Sequence, residues 1–295
     1  METSMSADQP HDAASTESLL AQTLARIEIP PRPALLDKVM AEMQADDPDF
    51  RELARIITGD VGMAASLIKT ANAPFFGLRN KASTVRDALT MLGLLSVLRT
   101  IASLALRQSV PVTPALEGFW ERSTRIAYLC GWLVRNIGIK DGIRVDDAYT
   151  YGLFHDCGIP ILLKALDGYQ ATYSSHSSEP GRSLTLLEME RHGISHAMVG
   201  CALAKGWFLP ELHAQAILHH HDADALGPNP AEITPGMRRL IALGHAAEWL
   251  DEQSDLAHDC EWQRLGPSCL EILEISVEGL TELKPEAQDF LKTNA

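Results

Sequence analysis

Apolar residues recur at three- and four-residue intervals along most of the chain, and two-residue alternation is scarce. That is the period of helices, not strands. Leu35, Leu36, Val39, Met40 and Met43 form one stripe, with Asp37, Lys38 and Glu42 opposite. "DFRELARII" opens on Asp49 with Glu52 three residues on, a capping-box spacing that predicts a helix running to Gly59. The next helix carries Leu67 and Ile68 and ends at "ANAPFFG", where Pro74 and Gly77 forbid continuation and Asn72 reads as a cap. Further helices are predicted at about 84–92, 94–107, 115–137, 145–157, after Pro160, 183–191 and 195–205. "LPELHAQAILHHH", "MRRLIALGHAAEWLDEQ" and a terminal helical pair complete an all-α chain with no solenoid period.

"VPVTP" (110–114) places two prolines in five residues and predicts a boundary. The expected organisation is a disordered tail over 1–18, an N-terminal helical bundle over 19–110, a second helical half over 111–226, and C-terminal helices over 227–295 that complete that half. The most apolar stretch, "LTMLGLLSVLRTIASLAL" (89–106), has Arg99 near its middle and Gly93 as a break. A central Arg disfavours membrane insertion by about 3 kcal/mol, so buried core helices are expected there.

The net charge of −14 opposes sequence-independent binding to nucleic acid or to an anionic membrane, so neither is expected as a partner. Five cysteines (Cys130, Cys157, Cys201, Cys260, Cys269) make no CxxC pair, which suits a reducing cytoplasm and excludes a zinc ribbon. The N-terminus carries neither a basic start nor an apolar segment of the kind a signal peptide needs.

The candidate chemistry lies in histidines. "YGLFHDCGIPILLKAL" sets His155-Asp156 in an apolar run, and seven of the eleven histidines fall between 192 and 245. Imidazole and carboxylate donors suit zinc, iron, manganese or nickel. "HGISH" lacks the Glu that a zincin helix needs, since Gly193 stands in its place. Consecutive helical side chains diverge by about 100°, so His219, His220 and His221 are not expected to share one focus. His11, His176, His192, His213 and His258 are expected to be solvated, and Trp207 in "GWFLP" to be packing.

The order of these segments resembles the HDOD family, bacterial relatives of the HD and HD-GYP metal phosphohydrolases, over about residues 27–222. "IEIPPRPALLDKVM", "LARIITGDVGMAASLIKTANAPFFG" and "DALTMLG" carry the N-terminal half of the resemblance, which plain HD hydrolases lack. "FWERSTRIA", "LFHDCGIPILL" and "HGISHAMVGCALAKGWFLPELHAQAILHHHD" carry the other half. The fold it implies is an N-terminal helical bundle packed on an HD-like helical core.

In the catalytic relatives the metal ligands are a first His on the long helix, the HD pair, further histidines and a closing Asp. Carried over, the resemblance implies His155, Asp156, His196, His220 and His221 as the ligands of a degenerate metal site. The first His position is Arg122, the closing Asp position falls at His245, and Ile159 replaces the Lys that often follows the pair. On a helical wheel Arg122 lies in the arc of Phe119, Ile126, Leu129 and Leu133, so it should point inward. A guanidinium about 4 Å from a divalent ion would add about 8 kcal/mol of repulsion at an effective dielectric near 20. Arg122 is therefore expected to pair with Asp156 and stand where an ion would have been. The resemblance implies a non-enzymatic signal-transduction module that needs no cofactor and answers to a separate signalling protein or a nucleotide ligand. A metal-dependent phosphohydrolase acting on a nucleotide or cyclic dinucleotide is the alternative, with metal held by His155, Asp156, His196, His220 and His221; a single-ion site of His155, Asp156, His196 and His220 or His221 is a separate reading.

Overall fold

A computed structural model describes residues 27–76, 81–110, 114–139, 142–176, 182–227, 233–251 and 256–294. The expected tail, His11, most of the 110–114 boundary and positions 228–232 lie outside the described residues, as does the side chain of His258. Every regular element among the described residues is helical, as the period of the apolar positions predicts. In chain order they are α1 (Ala34–Met43), α2 (Phe50–Thr58), α3 (Val61–Ala71), α4 (Val85–Leu92), α5 (Leu94–Ser109) and α6 (Pro114–Asn136). Then follow α7 (Val145–Phe154), α8 (Gly158–Ala165), α9 (Tyr169–His176), α10 (Leu184–His192), α11 (His196–Gly206) and α12 (Glu211–His219). α13 (Pro235–Leu250), α14 (Leu256–Leu273) and α15 (Val277–Asn294) close the chain.

Helix starts follow the cap chemistry, with one correction. Asp49 caps α2 by accepting the Arg51 N–H at 2.8 Å, but Glu52 does not complete a capping box. The Asp49 N–H is taken at 2.9 Å by Glu42 of α1, and Glu52 turns instead to Arg55 one turn along. A full capping box forms at α4, where Thr84 and Asp87 satisfy each other's amides. Asn72 caps α3 and does more: its side-chain amide gives and takes a hydrogen bond with the Ala82 backbone, at 2.8 and 2.7 Å, holding the chain on either side of 77–80 together.

Gly93, at φ +78°, ends α4, and α5 leaves at 119° to it. No single described helix is long and apolar enough to cross a membrane. The two helices pack as core, with Leu89, Val97, Ile101 and Ala102 buried. Arg99 is buried with them, and its guanidinium meets Asp147 at 2.8 Å and Asp146 at 3.5 Å on α7, tying the first helices to the rest.

α6 is the spine of the C-terminal helices. Ile126, Leu129 and Leu133 bury one face against α7 and α13. Its backbone and that of α7 come so close at Gly152 that a Cβ there would meet Ala127 Cα at 2.9 Å, which only glycine permits. α8 packs on α11, α11 on α12, and α12 on α13. Together they bring the end of α7 and of α12, the start of α11, and the middles of α6, α10 and α13 around one point. Trp207 is packing as expected: it is buried and its indole N–H donates to Pro30 O at 3.1 Å.

Candidate metal centre

His155 closes α7, and Asp156 occupies the turn before α8. The His155 Nδ1–H donates to Gly152 O at 2.8 Å, because a carbonyl can only accept. Its Nε2 is buried, points at Asp156 Oδ2 (3.2 Å), and makes no hydrogen bond within the described protein.

The same arrangement recurs at the other histidines. His196, first residue of α11, donates Nδ1–H to the buried Glu188 carboxylate of α10 at 2.8 Å. His220 donates Nδ1–H to Ile217 O at 2.7 Å, and His221 to Glu261 of α14 at 2.7 Å. Each outer nitrogen is committed as a donor, so each Nε2 points inward, where it can carry a proton without an ion or offer a lone pair to a cation.

α12 ends at His219, which is why neighbouring histidines can share a focus. His219 leans out toward Asp222, while the chain turns and His220 and His221 both face in, their ring centroids 3.9 Å apart. The divergence expected for consecutive helical positions applies to His219 alone.

The inward nitrogens are close. His196 Nε2 lies 3.3 Å from His220 Nε2 and 3.1 Å from His221 Nε2. Asp156 Oδ1 is 3.3 Å from both His196 Nε2 and His220 Nε2. Four donors tetrahedral about an ion at 2.0–2.1 Å would be about 3.3 Å apart. Converging imidazole lone pairs repel unless a proton or a cation sits among them. The group Asp156, His196, His220 and His221, whose donor atoms all lie within 4.8 Å of one another, fits one transition-metal ion.

Electrostatics follow the carboxylates. Burial pushes the His196 pKa down, but Glu188 and Asp156 outweigh it and raise it to about 10. His155 is likewise raised to about 10, against burial, chiefly by Asp156. His220 goes the other way, to about 3, through burial and then the adjacent His221. Asp156 is held well below the usual carboxylate range despite its burial, by His155 first and then His196 and His220.

The second half of the site is different. His155, Asp156 and Glu248 offer another donor group within 4.8 Å, sharing Asp156 with the first. Arg122 of α6 points inward as expected, but its partner is Glu248, with Nη2 3.1 Å from Oε1. The expected pairing with Asp156 is corrected. Asp156 is already engaged by three histidines, whereas Glu248, one turn beyond His245 on α13, faces Arg122 directly. Burial alone would lower the guanidinium pKa, yet Glu248 and then Asp156 raise it, so it stays a fixed cation.

His245 stands where the resemblance places the closing Asp. Its Nε2–H donates to His220 O at 2.7 Å and its Nδ1 faces Glu248 Oε2 at 3.2 Å. With both nitrogens committed it props the backbone of His220 and offers no donor atom. Glu248, Glu188 and Glu261 were not expected from the sequence. The i, i+3 spacing of His245 and Glu248 was the one available signal for the first. Three histidines expected in solvent are also placed otherwise: His213 is fully buried with Nε2–H on Asp147 O, His192 bonds Thr172 Oγ1, and His176 is half-buried in the lining of the cavity beside the site.

A cavity of about 160 Å³ opens beside the site, with Arg122, Ser123, Gln170, Tyr173 and Ser174 in its walls.

Three solved structures share the fold. An HDOD domain protein of unknown function from Geobacter sulfurreducens superposes with a TM-score of 0.61 at 20% identity, over 95% of this chain and 99% of the other. A presumed phosphohydrolase from Shewanella amazonensis gives 0.62 at 19% identity, over 97% and 99%. A presumed signal-transduction protein from Marinobacter aquaeolei gives 0.60 at 19%, over 95% and 65%. An uncharacterized protein of Treponema pallidum (strain Nichols) is 24% identical over 241 residues, and the match spans 81% of this chain but 46% of that relative. The HDOD domain model matches residues 29–223, about two-thirds of the chain, and covers Arg122, the His155-Asp156 pair and all three inward histidines that follow. The chain belongs to the HDOD family.

Proposed function

We propose that the chain is a regulatory signal-transduction module that holds one divalent transition-metal ion and does not hydrolyse phosphodiesters. Asp156, His196, His220 and His221 would hold the ion, and zinc, iron, manganese and nickel all suit that donor set. Such an ion, when bound, supplies Lewis acidity and lowers the pKa of a coordinated water.

The observation that carries the reading is the Arg122–Glu248 ion pair. A two-ion hydrolase clamps both the attacking and the leaving oxygen between metals about 3.5–4 Å apart. Here the carboxylate that would complete the second ion's donors is neutralised by a guanidinium that cannot lose its charge. Arg122 stabilises the folded site without an ion there, and repels one. The chain's own residues then orient and shield a single ion. Glu188 and Glu261 fix two imidazoles, His245 holds the turn that presents His220, and Arg122, Ser123, Gln170, Tyr173 and Ser174 line the 160 Å³ cavity that opens beside the site. Input would come through a separate signalling protein or a nucleotide-class ligand. The net charge of −14 argues against nucleic acid and anionic membranes as that partner.

The rival is a one-ion phosphohydrolase, which the intact Asp156 and histidine set keeps in play. Protein loaded with manganese or ferrous iron is assayed on cyclic dinucleotides and on a generic phosphodiester. The expected result is no turnover above that of Asp156→Ala. Turnover that Asp156→Ala abolishes would overturn the regulatory reading.

A further inference from the structure

Glu188 does more than orienting one imidazole requires. It is fully buried in α10, and its carboxylate accepts three donors: His196 Nδ1–H at 2.8 Å, the His196 backbone N–H at 2.9 Å, and the Tyr169 hydroxyl. Tyr169 opens α9 and is itself fully buried. α9 and α10 are cross-linked to each other by Thr172 Oγ1 with His192 Nε2 at 2.9 Å and by Arg191 Nη1 donating to Ser175 Oγ at 2.7 Å. Gln170, Tyr173 and Ser174 on α9 form one wall of the cavity over the site. One carboxylate thus fixes a candidate metal ligand and pins the two-helix wall that shields it.

We propose that Glu188 is a positioning residue that couples divalent-cation occupancy of the Asp156, His196, His220 and His221 site to the packing of the α9–α10 wall. This rests on the one-ion reading above. A cation drawing on His196 Nε2 polarises the ring and makes Nδ1–H a stronger donor, so the Glu188 carboxylate is held more tightly. Glu188 in turn holds the Tyr169 hydroxyl, and through it the start of α9. The coupling runs both ways: a wall drawn off Glu188 leaves His196 without its orienting partner and weakens the ion.

The test is hydrogen–deuterium exchange of the full chain, prepared metal-free and then titrated with Zn²⁺ or Mn²⁺, with bound metal counted by elemental analysis. One equivalent of ion should slow amide exchange severalfold in 169–176 and 184–192. Glu188→Gln should raise the metal Kd about 10- to 100-fold, the usual cost of losing an outer partner. At saturating metal it should also lose the protection of both segments. Tyr169→Phe should lose less affinity but still lose protection in 169–176, which keeps the test open should Glu188→Gln fail to fold. Stoichiometric uptake with unchanged exchange in both segments would overturn the coupling and leave the one-ion reading standing. A folded Glu188→Gln that binds metal as tightly as the parent would do the same. A parent chain that takes up neither ion would remove both.

Discussion

Arg122 Nη2 lies 3.1 Å from Glu248 Oε1, and one turn along α6 Arg125 grips Asp251, the residue that caps α13, with contacts of 3.0 and 3.2 Å. α6 and α13 are therefore joined by two charged rungs in register. The outer rung is structural, a forked contact to a carboxylate that is almost fully buried. The inner rung stands at the candidate metal centre, where Glu248 also faces His155 at 3.6 Å and His245 at 3.2 Å. A carboxylate surrounded by three cationic or potentially cationic groups has little need of an ion.

Removing the guanidinium leaves Glu248 largely buried without its fixed charge. Arg122→Ala is expected to cost about 3 kcal/mol of stability, the low end for a buried pair that loses one member. Arg122 keeps some solvent contact, and the two imidazoles can compensate in part. Urea denaturation at neutral pH measures it, and an unchanged midpoint would contradict the placement of this pair.

Replacing the cation with a donor should change metal stoichiometry. Arg122→His frees Glu248 and adds an imidazole beside the group His155, Asp156 and Glu248. Elemental analysis of this variant, saturated with Mn²⁺ and desalted, should give close to two ions per chain against one in the parent. A ratio unchanged at one would mean that Arg122 is not what excludes the second ion.

How far these features could be read beforehand depends on where each partner lies along the chain. The inward direction of Arg122 follows from its place among Phe119, Ile126 and Leu129 on one helix face, a local property. Its choice of Glu248 over Asp156 does not, because it depends on which acid the histidines have already claimed, and those side chains come from four other segments. The candidate ligands that converge, Asp156, His196, His220 and His221, were legible as candidates from their order, but Glu188 and Glu261 were not. A buried carboxylate behind an imidazole has no sequence spacing that marks it. Core helices were expected around Arg99 from its apolar surroundings, while Asp146 and Asp147, which make the burial of its guanidinium tolerable, lie nearly fifty residues away. Where α12 ends decided whether His220 and His221 could converge, and helix ends are set by tertiary contacts as much as by local sequence.

The turn that carries the His-Asp pair has no room for a side chain after it. A Cβ on Gly158 would lie 2.0 Å from His196 O and 2.9 Å from Gly200 N, backbone atoms that cannot swing aside. Gly158→Ala must push α8 off α11 and so separate Asp156 from His196. The expected cost is about 3 kcal/mol, the upper part of the range for overpacking, with metal affinity falling alongside it. Thermal unfolding and a metal titration of the same sample check both, and a variant with parental values on both counts would refute this packing.

His213 offers a pH test away from the candidate metal centre. Its Nε2–H donates to Asp147 O at 3.0 Å, and its Nδ1 is buried with no hydrogen-bond partner among the described residues. Burial first, and then the Arg99 guanidinium, lower its pKa to about 4, while Asp147 and Asp146 pull the other way. In the unfolded chain the ring titrates near 6.5. Between these values the unfolded state takes up a proton that the folded state refuses, so stability is full above pH 6.5 and falls as pH drops toward 4. The slope is about 1.4 kcal/mol per pH unit at most. His155 and His196, both raised to about 10, oppose this slope near pH 6.5, where the unfolded rings are about half protonated, and stop contributing below about pH 5.5, where both states hold the proton. His220, lowered to about 3, adds a slope of the same sign, so the comparison has to be with a variant. In metal-free protein His213→Gln should show a shallower loss of denaturation midpoint between pH 6.5 and 4.5 than the parent. Parallel curves for the two would mean that His213 is not buried in its neutral form.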